Sequence, residues 1–149
     1  MEINQISIAN YKEVVELFDH YRIFYKQSSD ILLAEKFIKE RLSNNQSMIF
    51  VAYEHAIPIG FTQLYPSYSS VRAVKRWILN DLYVEKEYRK SGVGKALIQK
   101  ALKFAKENDA VTVKLETAKD NYTAKALYES IGFELQGPDE EFDVYLIKI

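Results

Sequence analysis

The segment Arg89-Lys90-Ser91-Gly92-Val93-Gly94 joins a strand-like stretch to a helix-like stretch, and it restricts the folds that the sequence can adopt. Before it, residues 76–84 are rich in Trp, Ile, Leu, Tyr and Val, which is typical of a β-strand. After it, apolar residues recur at helical spacing over 93–107. Glycines let a ligand approach the backbone, and the first N–H groups of a helix attract anions. The segment therefore predicts a diphosphate site, with positive charge added by Arg89, Lys90 and Lys95.

Two better-known glycine loops do not match the spacing at this junction. A Walker A loop requires a glycine at position 89 and Ser or Thr at position 96, where the chain has Arg89 and Ala96. A dinucleotide fingerprint requires its third glycine at position 97, which is Leu97. Taken alone, the segment remains compatible both with a diphosphate site of another kind and with a plain two-glycine turn.

The rest of the chain alternates strand-like and helix-like segments around this junction. Strand patterns cover residues 2–8, 48–54, 57–65, 76–84, 111–117, 133–136 and 142–149, and helical spacing covers 11–25, 31–42, 93–107 and 122–130. We expect a loop at 66–70, and Gly132 is expected to end the last helix. This order predicts a single mixed α/β domain over residues 1–149, with helices on both faces of a sheet that is antiparallel at first.

The composition excludes several kinds of site. The 149 residues include no cysteine and two histidines, so disulfides, thiolate nucleophiles and cysteine-based zinc sites are impossible and no metal is expected. The net charge of -1 argues against a nucleic-acid surface held by charge alone. The first residues lack a signal-peptide pattern, and no apolar stretch approaches the ~18 residues of a membrane span. We therefore expect a cytoplasmic protein with no nucleic-acid or membrane partner.

Two motifs, one after the other along the chain, resemble those of the GCN5-related N-acetyltransferase (GNAT) superfamily. The first is Asp81-Leu82-Tyr83-Val84 followed by Arg89-Lys90-Ser91-Gly92-Val93-Gly94, which is similar to a Leu-x-Val strand and the pattern Arg/Gln-x-x-Gly-x-Gly/Ala. The second, residues 121–133, reads Asn-Tyr-Thr-Ala-Lys-Ala-Leu-Tyr-Glu-Ser-Ile-Gly-Phe and is similar to the family's Asn-x-x-Ala-x-x-Leu-Tyr-x-x-x-Gly-Phe stretch. The resemblance covers residues 47–149 well, and it implies a central mixed, twisted sheet of six to seven strands flanked by about four helices.

The first third of the chain resembles one bacterial subgroup of the family. This likeness is carried by residues 21–30 and 60–66, and residues 80–84 are similar to small-amine and histone acetyltransferases. The resemblance implies direct transfer of acetyl from acetyl-CoA to a primary amine in a ternary complex.

The resemblance also implies catalytic roles for two residues. An aliphatic ammonium, with a pKa near ~10, must lose a proton before it attacks, and Asp81 is the candidate base. Asp81 matches the second acid of diamine acetyltransferases, whereas Asn80 stands in place of the first; a structural carboxylate is the alternative. Tyr128 matches the family's general acid, which protonates the leaving thiolate, and a packed helix tyrosine is its alternative.

By the same resemblance, acetyl-CoA lies against the loop and the strand before it. Backbone N–H groups of Leu82, Tyr83 and Val84 are expected to contact the cofactor and to stabilise charge on the thioester oxygen. Asn121 is expected to bond the pantetheine arm, with a helix N-cap as the alternative. Rings that could surround the amine are those of Tyr25, Tyr65 and Trp77. The remaining cofactor contacts are expected from Arg89, Lys90, Ser91, Gly92, Val93, Gly94 and Lys95.

Three functions remain open on the sequence alone. The first is an acetyltransferase for small-molecule amines, the second a protein or peptide acetyltransferase, and the third a non-catalytic acyl-CoA-binding regulatory module. The presence of both Asp81 and Tyr128 favours an enzyme over the third. Relatives often form dimers, so a homodimer is compatible with the resemblance.

Overall fold

The computed structural model describes residues 1–137, 143 and 145–149. The chain forms two compact units, Met1–Glu116 and Thr117–Ile149. In the second unit α4 spans Tyr122–Ile131. The single acetyltransferase domain inferred over residues 1–149 stays a prediction. The first unit holds β1 (Glu2–Ile6), α1 (Lys12–Phe24), α2 (Ile31–Ser43), β2 (Met48–Glu54), β3 (Ile57–Ser69), β4 (Val74–Val84), α3 (Val93–Glu107) and β5 (Val113–Lys114), with 3₁₀ turns at Ile8–Asn10 and Lys86–Tyr88.

The strands form one mixed sheet in chain order. β1 to β4 are antiparallel neighbours, and β5 lies parallel to β4. The parallel pair follows from the long connection through α3, because parallel neighbours cannot be joined by a tight turn. The mixed α/β class is confirmed, but the part of the chain that the structure describes has five strands rather than the expected six to seven.

The two faces of the sheet are covered by different helices. On one face Phe18 of α1 and Ile38 of α2 are buried against Phe61 of β3. On the other face the ring of Phe104 in α3 lies 5.1 Å from that of Trp77 in β4. Each side chain of β3 or β4 near the β4–α3 junction therefore points to one of two faces. One face is covered by α1 and α2, and the other by α3.

A β-bulge in β4 determines which side chains share a face. Gln63 of β3 pairs with Asp81, but the next position of β3 pairs with Leu79, so Asn80 is an extra residue in β4. In a regular strand residues 77, 79 and 81 would point the same way. The extra residue reverses the alternation, and Asp81 faces α1 while Trp77 faces α3.

The expected loop at 66–70 is wrong, since β3 continues to Ser69 and stays paired with β4. Pro66 fits this strand because its missing N–H is not needed. Its partner Trp77 donates its own N–H away from β3, to the Thr112 C=O, so the Pro66–Trp77 pair is not a hydrogen-bonded one. On the other side of β3, β2 begins at Met48 opposite Leu64 and does not reach Pro66.

Three expected strands in the last third of the chain differ from the structure. The strand expected at 111–117 is reduced to Val113–Lys114, because pairing with β4 ends at Ile78, two residues before the bulge. The strand expected at 133–136 is wrong, since residues 133–137 are in no strand and the Phe133 N–H turns back to the Tyr128 C=O. The strand expected at 142–149 falls partly outside the described residues, and positions 143 and 145–149 are in no strand.

Candidate active site

The start of α3 carries unpaired backbone donors. Gly92 is its N-cap in a left-handed conformation, with φ of +89°, and supplies no side-chain cap. The first helical bond is from the Ala96 N–H to the Gly92 C=O at 3.0 Å. The N–H groups of Val93, Gly94 and Lys95 therefore have no acceptor within the helix, and the helix dipole adds about half a positive charge at this end.

The space beside this helix start is open. A Cβ built on Gly92 would meet no atom within 4 Å among the described residues. Glycine is required here by its positive φ, which costs an L-residue about 1–2 kcal/mol. At the Gly92 position itself no described side chain would stand in the way of an anion, and exposed Lys90 and Lys95 flank the position.

Other loop side chains hold the loop in place. The Ser91 hydroxyl donates to the Tyr88 C=O. The Arg89 Nε donates to the Val84 C=O at 2.8 Å, and its guanidinium lies 5.4 Å from the Phe24 ring centroid and 5.5 Å from that of Tyr83. Arg89 therefore fastens the loop to the end of β4 and to the last turn of α1.

Beside the loop, no strand of the described residues pairs with the second edge of β4, which is called the open edge below. The Glu85 N–H donates to the Ile59 C=O, so Glu85 and Ile59 form a hydrogen-bonded pair. Counting back along β4, every second residue forms such a pair with β3. It follows that Tyr83 bonds to β3, whereas the backbone groups of Leu82 and Val84 point to the other edge. β5 pairs with that edge only up to Ile78. Of the three expected backbone contacts, Leu82 and Val84 face the open edge and Tyr83 does not.

Asp81 is a buried carboxylate with several donors. Its side chain is 2% exposed and accepts from Asn80 Nδ2 at 2.7 Å and from Gln63 Nε2. Burial raises the pKa of Asp81, and the hydrogen bonds from Asn80, Gln63 and Tyr21 oppose that rise without cancelling it. A carboxyl group whose pKa is raised in this way accepts a proton more readily than an exposed carboxylate does.

Tyrosine rings lie around this carboxylate on the α1 face. Burial, followed by the charge of Asp81, raises the pKa of both Tyr21 and Tyr65. The ring of Tyr25 packs edge-on against that of Tyr21, with 5.0 Å between centroids, and Tyr25 is half-exposed. The structure therefore brings Tyr65 and Asp81 together and connects Tyr25 to them through Tyr21.

Trp77 does not join this group. It is 4% exposed and packs against Phe104 of α3, and Lys75 Nζ lies 4.6 Å from its ring centroid. The bulge at Asn80 places it on the face opposite Asp81. The structure thus separates Trp77 from Tyr25 and Tyr65.

Asn121 and Tyr128 lie in the second unit. Asn121 is the N-cap of α4, and its Oδ1 accepts from the Ala124 N–H at 3.3 Å. Tyr128 lies in the last turns of the helix, with its ring 6.1 Å from that of Phe133. Gly132 ends α4 with φ of +119°, as expected from the sequence. The N-cap role of Asn121 is observed, and the catalytic role of Tyr128 stays a prediction.

Sequence reasoning missed one polar residue beside Asp81, Gln63, and one contact elsewhere. Gln63 is fully buried, donates to the carboxylate, and accepts from the Ser47 hydroxyl at 2.7 Å. The available signal was a glutamine at an inward position of the apolar strand 57–65. A second missed contact joins α1 to the end of β4, where His20 Nδ1 lies 2.5 Å from Glu85 Oε1.

The described residues contain neither a cluster of metal-binding side chains nor a helix that could cross a membrane. Among them, no three His, Cys, Asp or Glu side chains lie together as a metal site requires. None of their helices has the length and apolar character needed to cross a membrane.

Comparison with known proteins identifies relatives over most of the chain. A model of the acetyltransferase (GNAT) family matches residues 11–133. YhfO of Bacillus subtilis, an uncharacterized N-acetyltransferase, is 42% identical over 134 residues, which are 90% of this chain and 90% of that protein. The crystal structure of a probable acetyltransferase matches with a TM-score of 0.89 and 38% identity, over 100% of this chain and 98% of that chain.

A more distant structure shares the fold alone. An aminoglycoside acetyltransferase from an uncultured soil metagenomic sample matches with a TM-score of 0.80 and 18% identity, over 98% of this chain and 96% of that chain. The sequence resemblance stated above is thus confirmed by the family model, by a protein relative and by a solved structure. The protein is an acetyltransferase, and the chain belongs to the GNAT family.

Proposed function

We propose that this protein transfers acetyl from acetyl-CoA to the primary amine of a small molecule. The observation that carries the proposal is the start of α3. There the N-cap Gly92, at φ of +89°, supplies no side-chain cap for the first three N–H groups of the helix, and the space at its own Cβ position is empty. The open edge of β4 leads from these donors to Asp81. An anion site and a carboxylate joined by an unpaired strand edge suit a phosphorylated acyl carrier and an amine acceptor.

Acetyl-CoA would supply the acetyl group as a thioester. In this proposal the N–H groups of Val93, Gly94 and Lys95 hold its diphosphate, and Lys90 adds charge. The backbone groups of Leu82 and the N–H of Val84 hold the pantetheine arm in the manner of an added strand, since the Val84 C=O already accepts from Arg89. Arg89 contributes by keeping the loop on β4, since its Nε bonds to the Val84 C=O.

Asp81 accepts the proton that the ammonium must lose before its nitrogen attacks. Because the side chain is 2% exposed, the proton reaches it through an intervening water. As the C–N bond forms and the C–S bond breaks, negative charge on the thioester oxygen is stabilised by a β4 N–H group. Tyr128, included on the motif it shares with the family, then donates its phenolic proton to the departing thiolate.

A small amine is favoured as the acceptor by the groups on the α1 face. The charge of Asp81 and the rings of Tyr21, Tyr25 and Tyr65 provide attraction for a compact cation. The aminoglycoside acetyltransferase that shares this fold also acts on an amine-bearing small molecule, which is consistent with such an acceptor. Trp77 is left out of the proposed acceptor site because it packs on the opposite face.

The test is release of coenzyme A from acetyl-CoA with a panel of amines that includes diamines, an aminoglycoside and a short peptide. The chain has no cysteine, so a thiol reagent detects coenzyme A without background from the protein. We expect release that depends on a small amine and falls at least about 100-fold in Asp81→Asn. Tight binding of acetyl-CoA with no release for any amine would contradict the proposal, and release with the peptide alone would contradict the small-molecule acceptor.

A further inference from the structure

Gln63 and Ser47 form a buried polar chain that ends on Asp81. Gln63 is 0% exposed and Ser47 is 4% exposed, so neither side chain has access to bulk water. The Ser47 hydroxyl lies 2.7 Å from Gln63 Oε1, and Gln63 Nε2 bonds to Asp81 Oδ2. A buried amide that meets a carboxylate in the middle of an apolar strand needs an explanation beyond packing.

The direction of these hydrogen bonds follows from their end groups. An ionised carboxylate can only accept, so Gln63 must present its NH₂ to Asp81 and its carbonyl to Ser47. The Ser47 hydroxyl must then donate. In this orientation both hydrogen bonds of Gln63 are made while Asp81 is ionised.

We infer that Gln63, oriented by Ser47, is a positioning residue that holds the Asp81 carboxylate ionised and directed for proton transfer. This inference rests on the proposed role of Asp81 as the base. Gln63 reaches Oδ2 from β3, while the bulged Asn80 reaches Oδ1 at 2.7 Å, so the two oxygens are held from different directions. The bulge itself brings Asp81 opposite Gln63.

Asn80 and Tyr21 also hydrogen-bond to Asp81, so Gln63 shares in stabilising its charge and is the contributor from β3 that Ser47 orients. The titratable or charged groups that act on the cluster are Tyr21 of α1, Tyr25 at the C-cap of α1, Tyr65 of β3 and Arg41 of α2. Tyr21 and Tyr65 are neutral at working pH because burial raises the pKa of each. Arg41 is occupied by Gln46 at 2.8 Å and by Glu40 at 3.3 Å.

The test compares variants by the pH dependence of kcat/KM between pH 5 and 9, with one amine throughout. Titration of the amine is the same for every variant and cancels in the ratio to wild type. Gln63→Met keeps the length of the side chain and removes the donor. We expect its acid limb to move up by about one pH unit, so that its rate on that limb falls roughly tenfold while the plateau changes less than about threefold.

Gln63→Glu provides a second variant should Gln63→Met fold poorly. Two carboxyl groups at this separation cannot both ionise, so its acid limb should lie higher still. Thr62→Val is the matched control, since Thr62 is equally buried but bonds to the backbone C=O of Asp81 at 2.8 Å rather than to the carboxylate. The midpoint of the acid limb of kcat/KM should be the same for Thr62→Val as for wild type.

A measurement without acceptor or cofactor gives an independent readout. The melting temperature of Gln63→Met should fall further below wild type as pH rises from 4 to 8, because the lost bond favours the ionised form. An unchanged midpoint for both Gln63 variants, with Asp81→Asn inactive, would overturn the inference and leave the proposed base intact. Full activity of Asp81→Asn would instead remove the proposed base.

Discussion

Replacement of Gly92 tests the anion site with an effect that can be worked out from the backbone. Gly92 has φ of +89°, and a Cβ built there would meet nothing within 4 Å. Gly92→Ala therefore costs backbone strain without a clash, about 1–2 kcal/mol. For a chain of this size that lowers the melting temperature by about 2–8 °C.

Gly92→Glu has the same backbone cost and adds a carboxylate beside the helix start. A charge ~5 Å from one phosphate charge raises the energy by about 0.8 kcal/mol at the dielectric of water and about 3 kcal/mol at an effective value of 20. The Kd for acetyl-CoA should therefore be about 4-fold to 200-fold weaker than that of Gly92→Ala. Titration calorimetry measures both constants, and thermal melting confirms that both variants are folded.

Gly132→Ala is the matched control for strain. Gly132 also has a positive φ, +119°, with nothing within 4 Å of a built Cβ, and it ends α4 instead of starting α3. It should lose a similar amount of stability while its Kd for acetyl-CoA stays within about threefold of wild type. Equal affinities for Gly92→Glu and Gly92→Ala would refute the electrostatic reasoning.

The other predictions concern β3, the carboxylate and α4. Gly60→Ala places a Cβ 2.9 Å from the Tyr83 C=O, so it should lower the free energy of unfolding by about 1–3 kcal/mol in a urea titration, and a neutral effect would contradict the close approach of β3 and β4. Because the pKa of Asp81 is raised in the fold, the folded state binds the proton more tightly and wild type loses stability as pH rises from ~4 through that raised value. Asp81→Asn does not titrate, so its melting temperature relative to wild type should increase from pH 4 to pH 8, and a constant difference would argue against the shift. Tyr128→Phe should lower kcat at least about tenfold with little change in the Kd for acetyl-CoA, and an unaltered single-turnover rate would remove Tyr128 as the acid.

The elements next to the anion site could be predicted from the sequence because local signals agree there. Helical spacing over 93–107 and the glycine before it gave α3 with the bounds that the structure has. Asp30 is the N-cap of α2, a position that aspartate favours. Gly132 is the C-cap of α4, where glycine is favoured because of the positive φ.

The grouping of side chains around Asp81 could not be predicted, because it depends on one extra residue in β4. Alternation in the sequence puts Trp77 and Asp81 on the same face, and the bulge at Asn80 puts them on opposite faces. The loop expected at 66–70 was likewise wrong because a local signal was misleading. Proline suggests a break, but Pro66 falls at a position where its nitrogen needs no hydrogen bond.

The most direct measurement of the central claim is a crystal structure of the protein grown with coenzyme A. The account predicts diphosphate oxygens within hydrogen-bonding distance of the Val93, Gly94 and Lys95 N–H groups, and a pantetheine arm along the Leu82–Val84 edge of β4. A nucleotide bound elsewhere, with solvent at the start of α3, would contradict it.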